Sequence, residues 1–229
     1  MIKLERLGTE YGGWVIPEDL GLSSDSIIYS AGAGEDISFD LLLQSKTNCN
    51  IFLIDPTPRS KVHYNEIVNF YRTNQWNFSG DIQPDYQNII SRFKPNLDKI
   101  IFLEFGLWSS KDILKFFKHD NPVYVSQTLV PNMFGDGYDE VNVDSVKNIM
   151  IKNNHNIDLL KMDIEGAEIA VLNQMLDDEI YPKYLCVEFD LYLKGVDKNN
   201  KTNKIVQRLS SLGYEILFNH ELNVTFLKK

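Results

Sequence analysis

Short apolar runs alternate along this chain with longer amphipathic stretches, and that alternation restricts the fold more than any other feature. Residues 27–31 read as the first clear strand and lead through glycines into a helical pattern carrying Phe39 and Leu43. Residues 51–54 form a second strand, ended by Asp55-Pro56. Residues 64–71 and 86–93 read as helical and 99–105 as a third strand. A strand at 159–162, a helix at 164–176, a strand at 184–189 and a helix at 204–212 continue the rhythm. Such β-α-β-α order predicts an α/β domain with a mostly parallel sheet. The rhythm breaks at the end: strand-like runs at 214–218 and 223–227 are joined only by residues 219–222. A parallel crossover needs about a dozen residues or more, so the sheet is expected to close with an antiparallel hairpin.

The 229 residues fit one elaborated domain spanning 1–229 better than two complete ones. Residues 1–26 form an N-terminal extension expected to contribute to the substrate site. With 23 basic and 32 acidic residues the net charge is −9. A surface of that sign repels phosphate backbones and anionic lipid heads, which argues against a nucleic-acid partner. Two cysteines, Cys49 and Cys186, and four scattered histidines exclude a zinc knuckle and a disulfide framework. Two free thiols, no signal-peptide core and no apolar run near the ~18 residues of a membrane span make the expectation cytoplasmic. Composition leaves the oligomeric state open.

The segment Tyr29-Ser-Ala-Gly32-Ala-Gly34-Glu-Asp36 lies where a strand turns into a helix. Glycines there let a ligand approach the backbone, and a helix N-terminus offers free N–H groups. The dinucleotide fingerprint is absent, because its third glycine would fall on Ile37. That absence and the terminal hairpin both count against a nicotinamide-dependent oxidoreductase, whose sheet is typically parallel throughout. Asp55 ends the second strand, where an acid can accept hydrogen bonds from ribose hydroxyls; its alternative role is to cap the turn at Pro56 and Pro58. Asp163 and the pair Glu188 and Asp190 stand at later strand ends, facing the same expected crevice. Asp163 could equally cap the following helix, and Glu168 reads as a solvated helix residue. Residues 131–138 read as a lid or a plain connector, and 197–203 as a polar surface loop.

Three strings are specific: Tyr29-Ser-Ala-Gly-Ala-Gly-Glu-Asp-Ile-Ser-Phe-Asp40, Asp55-Pro-Thr-Pro-Arg59 and Leu160-Lys-Met-Asp-Ile-Glu-Gly-Ala-Glu168. Together they resemble the FkbM-type methyltransferases, over nearly the whole chain from about Gly12 onward. The resemblance implies a class I, Rossmann-like methyltransferase fold with seven strands, the last antiparallel. It also implies S-adenosylmethionine as methyl donor and an oxygen acceptor. Carried over by position, Gly32 and Gly34 would flank the donor's carboxypropyl arm, with Ser30, Asp36 and Thr57 among the residues that bind the cofactor. Asp55 would meet its ribose, and Leu107 and Trp108 would wall its adenine. The wider class has an acid before the first glycine, where this chain has Ser30; Asp36 or waters are the expected replacement.

Methyl transfer needs donor and acceptor held in line and help for the acceptor in losing its proton. Asp163 and Glu165 are the expected catalytic carboxylates. A divalent cation, Mg²⁺ or Mn²⁺, held by Asp163, Glu188 and Asp190 is the expected alternative means of lowering a hydroxyl's pKa. The expected acceptor is a small molecule, a hydroxyl of a nucleotide-linked sugar for a surface glycan. Trp14, Gln127, Asn132 and Tyr138 are expected around it, and no large apolar patch is legible. A polyketide or other secondary-metabolite acceptor, and a non-catalytic nucleoside-binding module, are the other readings.

Overall fold

A computed structural model describes residues 2–80, 82–121, 126–193, 197 and 199–229. The chain begins with the hairpin β1 (Leu4–Leu7) and β2 (Trp14–Pro17). The alternating part follows: β3 (Ile27–Ala31), α1 (Ser38–Thr47), β4 (Asn50–Ile54), α2 (Pro58–Thr73), α3 (Tyr86–Ile90) and β5 (Ile100–Leu103). An excursion then carries β6 (Gly106–Leu107), β7 (Asp112–Lys118), β8 (Gln127–Thr128) and β9 (Tyr138–Asp144). The second half runs α4 (Val146–Asn153), β10 (Leu159–Met162), α5 (Glu168–Asp177), β11 (Tyr184–Glu188), α6 (Asp190–Leu193) and α7 (Lys201–Ser211). It closes with β12 (Tyr214–His220) and β13 (Asn223–Lys228).

Seven strands form the main sheet in the order β12-β13-β11-β10-β3-β4-β5. Its five inner and far strands pair in parallel, while β13 runs antiparallel to both β11 and β12. The expected α/β class, mostly parallel sheet and terminal hairpin are therefore all present. The central strands β3 and β10 are apolar almost throughout because helices cover both faces of the sheet. One layer packs Ile149, Val171, Leu172, Ile205 and Leu209 of α4, α5 and α7 against Tyr29, Leu160 and Met162. The other packs Phe39, Leu41 and Leu43 of α1 and Ile67 and Phe70 of α2 against Ile28, Ile51 and Leu53. Burying each such side chain is worth about 1.5–3 kcal/mol.

Local chemistry sets the helix boundaries. Thr57 caps α2 by accepting the Ser60 N–H at 3.3 Å, with Pro58 at the first helical position. Ser145 caps α4 through the Asn148 N–H in the same way. The helices α1, α2 and α4 stop at Asn48, Asn74 and Asn154, each left-handed, a conformation asparagine tolerates better than other non-glycine residues. The helix expected over 164–176 begins only at Glu168, because Glu165 (φ 54°) and Gly166 (φ 96°) first turn the chain. The helix expected from residue 204 begins at Lys201, its free N–H groups at Lys201 and Thr202 accepted by the Asp197 carboxylate. Of the polar stretch 197–203, Lys198 lies outside the described residues.

The N-terminal extension is a structural layer. Trp14 and Ile16 are buried in the same apolar layer as α1, and Thr225 in β13 donates its hydroxyl to the Val15 carbonyl at 2.7 Å. The four-stranded sheet β6-β9-β7-β8 lies outside the alternating pattern and was not foreseen; its outward strands are largely exposed. No described helix is long and apolar enough to cross a membrane.

Candidate active site

Strand order reverses between β3 and β10, and in open α/β sheets the ligand crevice lies at the carboxyl ends beside such a reversal. Ala31 and Met162 are register partners there, so the glycine turn and Asp163 emerge side by side. The Asp163 N–H donates to the Ala31 carbonyl at 3.2 Å and the Gly32 N–H to the Ile54 carbonyl at 3.0 Å. Gly32 has φ 77°, and a Cβ on it would overlap the carbonyl oxygen of Asp163. Only glycine fits that close crossing. Gly34, at φ 55°, has nothing within 4 Å of where a Cβ would stand and borders the crevice.

Asp55 locks this turn from the next strand. One carboxylate oxygen accepts the Gly34 N–H at 3.0 Å; the other accepts the Thr57 N–H at 2.8 Å and its hydroxyl at 2.6 Å. A carboxylate offers about four acceptor directions, so one remains for a hydroxyl arriving from the crevice. Asp55 is thus both a brace between the glycine turn and α2 and a candidate ribose acceptor. Its neighbour Glu35, also at the crevice, is gripped by Arg59 through two hydrogen bonds of 2.8 and 3.0 Å. Asp36 points its oxygens elsewhere: one accepts the Ser38 N–H and the other the hydroxyl of Thr9. Thr9 in turn accepts the Gly12 N–H, so Asp36 pins the loop between β1 and β2 over the crevice.

The crevice has a volume of about 310 Å³. Five acids line it, Glu35, Asp36, Asp55, Asp163 and Glu165, against one described cation, Lys161. Lys161 is buried, and its Nζ donates to the carbonyls of Gly32 at 2.7 Å and Ala31 at 3.3 Å. Behind it, Asp40 on α1 is pushed up to a pKa of about 6 by burial, a rise that the Lys161 charge opposes. The hydroxyl of Tyr11 sits at the crevice mouth. Its enclosure there, together with Asp163, Glu165, Glu188 and Asp36, pushes it up to about 12, although the residue as a whole stays exposed. Glu165 is held in its left-handed turn from outside, where Thr128 of β8 donates its hydroxyl to the Glu165 carbonyl.

Of the residues singled out from sequence, Gly32, Gly34, Asp36, Asp55, Thr57, Leu107, Asp163 and Glu165 meet at this crevice. Ser30 does not: it is fully buried within β3 and takes no part in the lining of the crevice. Trp108 borders a second groove instead, its N–H group on the backbone bonded to the Asp144 carbonyl. Among the expected acceptor contacts, Gln127 lines the crevice, Trp14 is buried in the core, Asn132 is exposed, and Tyr138 lies out on β9 with Lys115 4.2 Å over its ring.

The metal expectation is corrected. Among the described residues no group of three His, Cys, Asp or Glu side chains is placed to hold an ion. The reason is local: β11 ends at Glu188, and Asp190 already opens α6. The two-residue alternation that would have set both acids on one strand face stops between them. Glu188 is instead pushed up to a pKa of about 8 by burial first, then by Asp163 and Asp190. Glu168, expected to be solvated, is fully buried; one carboxyl oxygen accepts the N–H groups of Ile164 and Gly166 at 3.0 Å each. Burial, reinforced by Asp190, raises it well above the ordinary carboxylate range. Sequence reasoning passed over Lys161, Tyr11 and Thr128. Only Lys161 carried a signal, as the single charge inside an apolar central strand.

No curated protein matches the sequence significantly. Among solved structures the chain is similar to a fibrillarin pre-rRNA processing protein from Methanococcus jannaschii, at 11% identity and a TM-score of 0.45, covering 90% of this chain and 67% of that one. It is also similar to a precorrin-6y C5,15-methyltransferase from Geobacter metallireducens, at 12% identity and a TM-score of 0.40, covering 92% and 84%. Both scores are too low to carry an argument. The glycine turn and Asp55 precede the stretch that a family model matches. Residues 105–216, from the start of the inserted sheet into β12, match the model of the Methyltransferase FkbM domain.

Proposed function

We propose that the chain is an S-adenosylmethionine-dependent O-methyltransferase acting on a hydroxyl of a small polar acceptor, a nucleotide-linked sugar being the first candidate. The observation that carries this reading is the charge of the crevice: five acids line it, and its one described cation is turned onto backbone carbonyls. Such a site favours a cationic ligand such as a sulfonium. The glycine turn fits the same ligand, since Gly34 leaves open space where a side chain would stand and Asp55 keeps an acceptor direction for a ribose hydroxyl.

When bound, S-adenosylmethionine supplies an electrophilic methyl group. Gly32, Gly34 and Asp55 would hold it, with Leu107 as an apolar wall. Asp163, at the end of β10, takes the proton that the acceptor hydroxyl gives up as its oxygen gains the methyl group. Glu165, turned toward the same crevice, orients the acceptor. Lys161 keeps the turn closed beneath them, and Tyr11 covers the opening.

Calorimetry with S-adenosylmethionine and S-adenosylhomocysteine tests the donor. Asp55→Ala should weaken binding about ten- to a hundred-fold, as expected for hydrogen bonds to a charged group worth roughly 1.5–3 kcal/mol. Affinity unchanged by Asp55→Ala would refute this placement. A mass-detected methyl-transfer screen over nucleotide-linked sugars tests the acceptor, and turnover only with apolar acceptors would refute the sugar.

A further inference from the structure

On the far side of the Ile164–Gly166 turn from the crevice lies a second groove, with a volume of about 930 Å³. Its walls are apolar: Trp108, Leu114 and Phe117 from the inserted sheet face Ile169 of α5, Leu191 of α6 and Ile205 of α7. Leu129 lines both groove and crevice, so the two are neighbours across a single residue. The polar lining has one sign. Lys115, Lys201, Lys204 and Arg208 border the groove, and no described lining residue is an acid. That is the reverse of the crevice and of the chain, whose net charge is −9. Arg208 is fixed by Asn173 and Asp177, so this part of the rim is already shaped. A groove near the upper end of the ~300–1,000 Å³ usual for ligand sites, apolar within and cationic at its edge, matches a molecule with an apolar chain and an anionic group.

We infer that this groove binds a single molecule of an anionic amphiphile, its chain along Trp108, Ile169 and Ile205 and its acidic group at the lysine rim. The inference stands apart from the methyl-transfer reading, because it concerns binding at different residues.

The test titrates the full chain with monomeric dodecyl phosphate, followed by calorimetry and by tryptophan fluorescence in a Trp14→Phe/Trp76→Phe background that leaves Trp108 as the reporter. Dodecyl maltoside serves as the neutral control, inorganic phosphate as the chain-free control, and anionic phospholipid vesicles as the membrane control. Dodecyl phosphate should bind at least tenfold more tightly than either soluble control. The double variant Lys115→Glu/Lys204→Glu should lose tenfold or more, and Ala170→Trp, which fills the groove, should abolish binding; circular dichroism and melting confirm that each is folded. If Ala170→Trp does not fold, the charge-reversed variant decides. No binding by the parent chain, equal affinity for dodecyl maltoside or phosphate, binding to vesicles alone, or full affinity in the folded variants would each overturn the inference. Loss of S-adenosylhomocysteine binding with dodecyl phosphate binding intact would instead count against the methyltransferase reading alone.

Discussion

The ammonium of Lys161 donates to the carbonyl oxygen of Gly32 at 2.7 Å, so a buried cation in the central strand holds the turn of its neighbour. Replacing it by methionine keeps the volume and deletes the donor. Lys161→Met should cost about 1.5–3 kcal/mol, the worth of a charged hydrogen bond. In a chain of this length that lowers Tm by roughly 3–12 °C. Asp40 also loses the charge that opposes its raised pKa. The double variant Lys161→Met/Asp40→Leu should therefore melt higher than Lys161→Met alone, and a lower Tm would exclude the coupling.

The two glycines of the turn should respond differently to alanine. At Gly32 the new methyl would overlap the Asp163 carbonyl, a backbone atom that cannot step aside. Gly32→Ala should fail to give a soluble folded protein. At Gly34 there is open space, so Gly34→Ala should cost only the left-handed backbone penalty of about 1–2 kcal/mol. The added methyl then stands in the crevice, and S-adenosylhomocysteine affinity should fall in a protein that still melts cooperatively. Expression yield, melting and calorimetry read out the pair.

Asp163→Asn removes a proton acceptor while keeping shape and the backbone hydrogen bond to Ala31. Turnover should drop about 10²–10⁴-fold, the usual range for general-base loss. Donor affinity should change less than threefold. Wild-type turnover in Asp163→Asn would move the proton acceptor elsewhere, with Glu165 the next candidate.

Stability should fall as pH rises from about 5 to 8. Glu188 has its pKa raised from the ordinary 4.5 to about 8 by burial and neighbouring acids. An acid with a raised folded-state pKa favours the folded state fully below its unfolded pKa, and that contribution is lost as pH climbs through the folded value. Asp40 adds a similar loss up to about pH 6. Glu188→Gln should flatten the upper part of a plot of Tm against pH. An unchanged slope between pH 6 and 8 would show that Glu188 does not titrate there.

Asp36→Ala should loosen the loop between β1 and β2 by deleting the acceptor for Thr9 and the Ser38 N–H. Losing a carboxylate acceptor costs about 1.5–3 kcal/mol. Faster amide exchange at Gly12 and Gly13, with the protection of β10 unchanged, is the expected signature.

Much of this fold was legible because its core strands carry unbroken apolar runs. Residues 27–31 and 159–162 coincide with the strands formed, and the short link before residue 223 fixed the closing hairpin's direction. Boundaries went astray where one residue's backbone decided them: Glu165 and Gly166 delay α5, which no periodicity reports. The inserted sheet escaped because β7 sets its apolar residues in adjacent pairs, Ile113-Leu114 and Phe116-Phe117, instead of in alternation, and because β9 is exposed and polar on much of its length. At the site, the glycines and Asp55 were legible from their place at strand ends. The acids near β11 were misjudged because spacing of two implies a shared face only while the strand continues, and it ends between Glu188 and Asp190. Glu168 was misjudged because its burial depends on distant residues that no local pattern describes.

The hydrogen bond from Thr225 to Val15 spans 210 positions and fastens the first hairpin to the last strand. Asp36, Ser38 and α1 hold the hairpin from nearby in the sequence, whereas its fastening to the main sheet waits for β13. Contacts this distant in sequence form late, because the intervening loop must close before they add stability. Tyr11 rides on the loop of that hairpin, so the cover of the crevice is tied locally to Asp36 and distantly to the last strand, and its final seating against the sheet waits for the second of these.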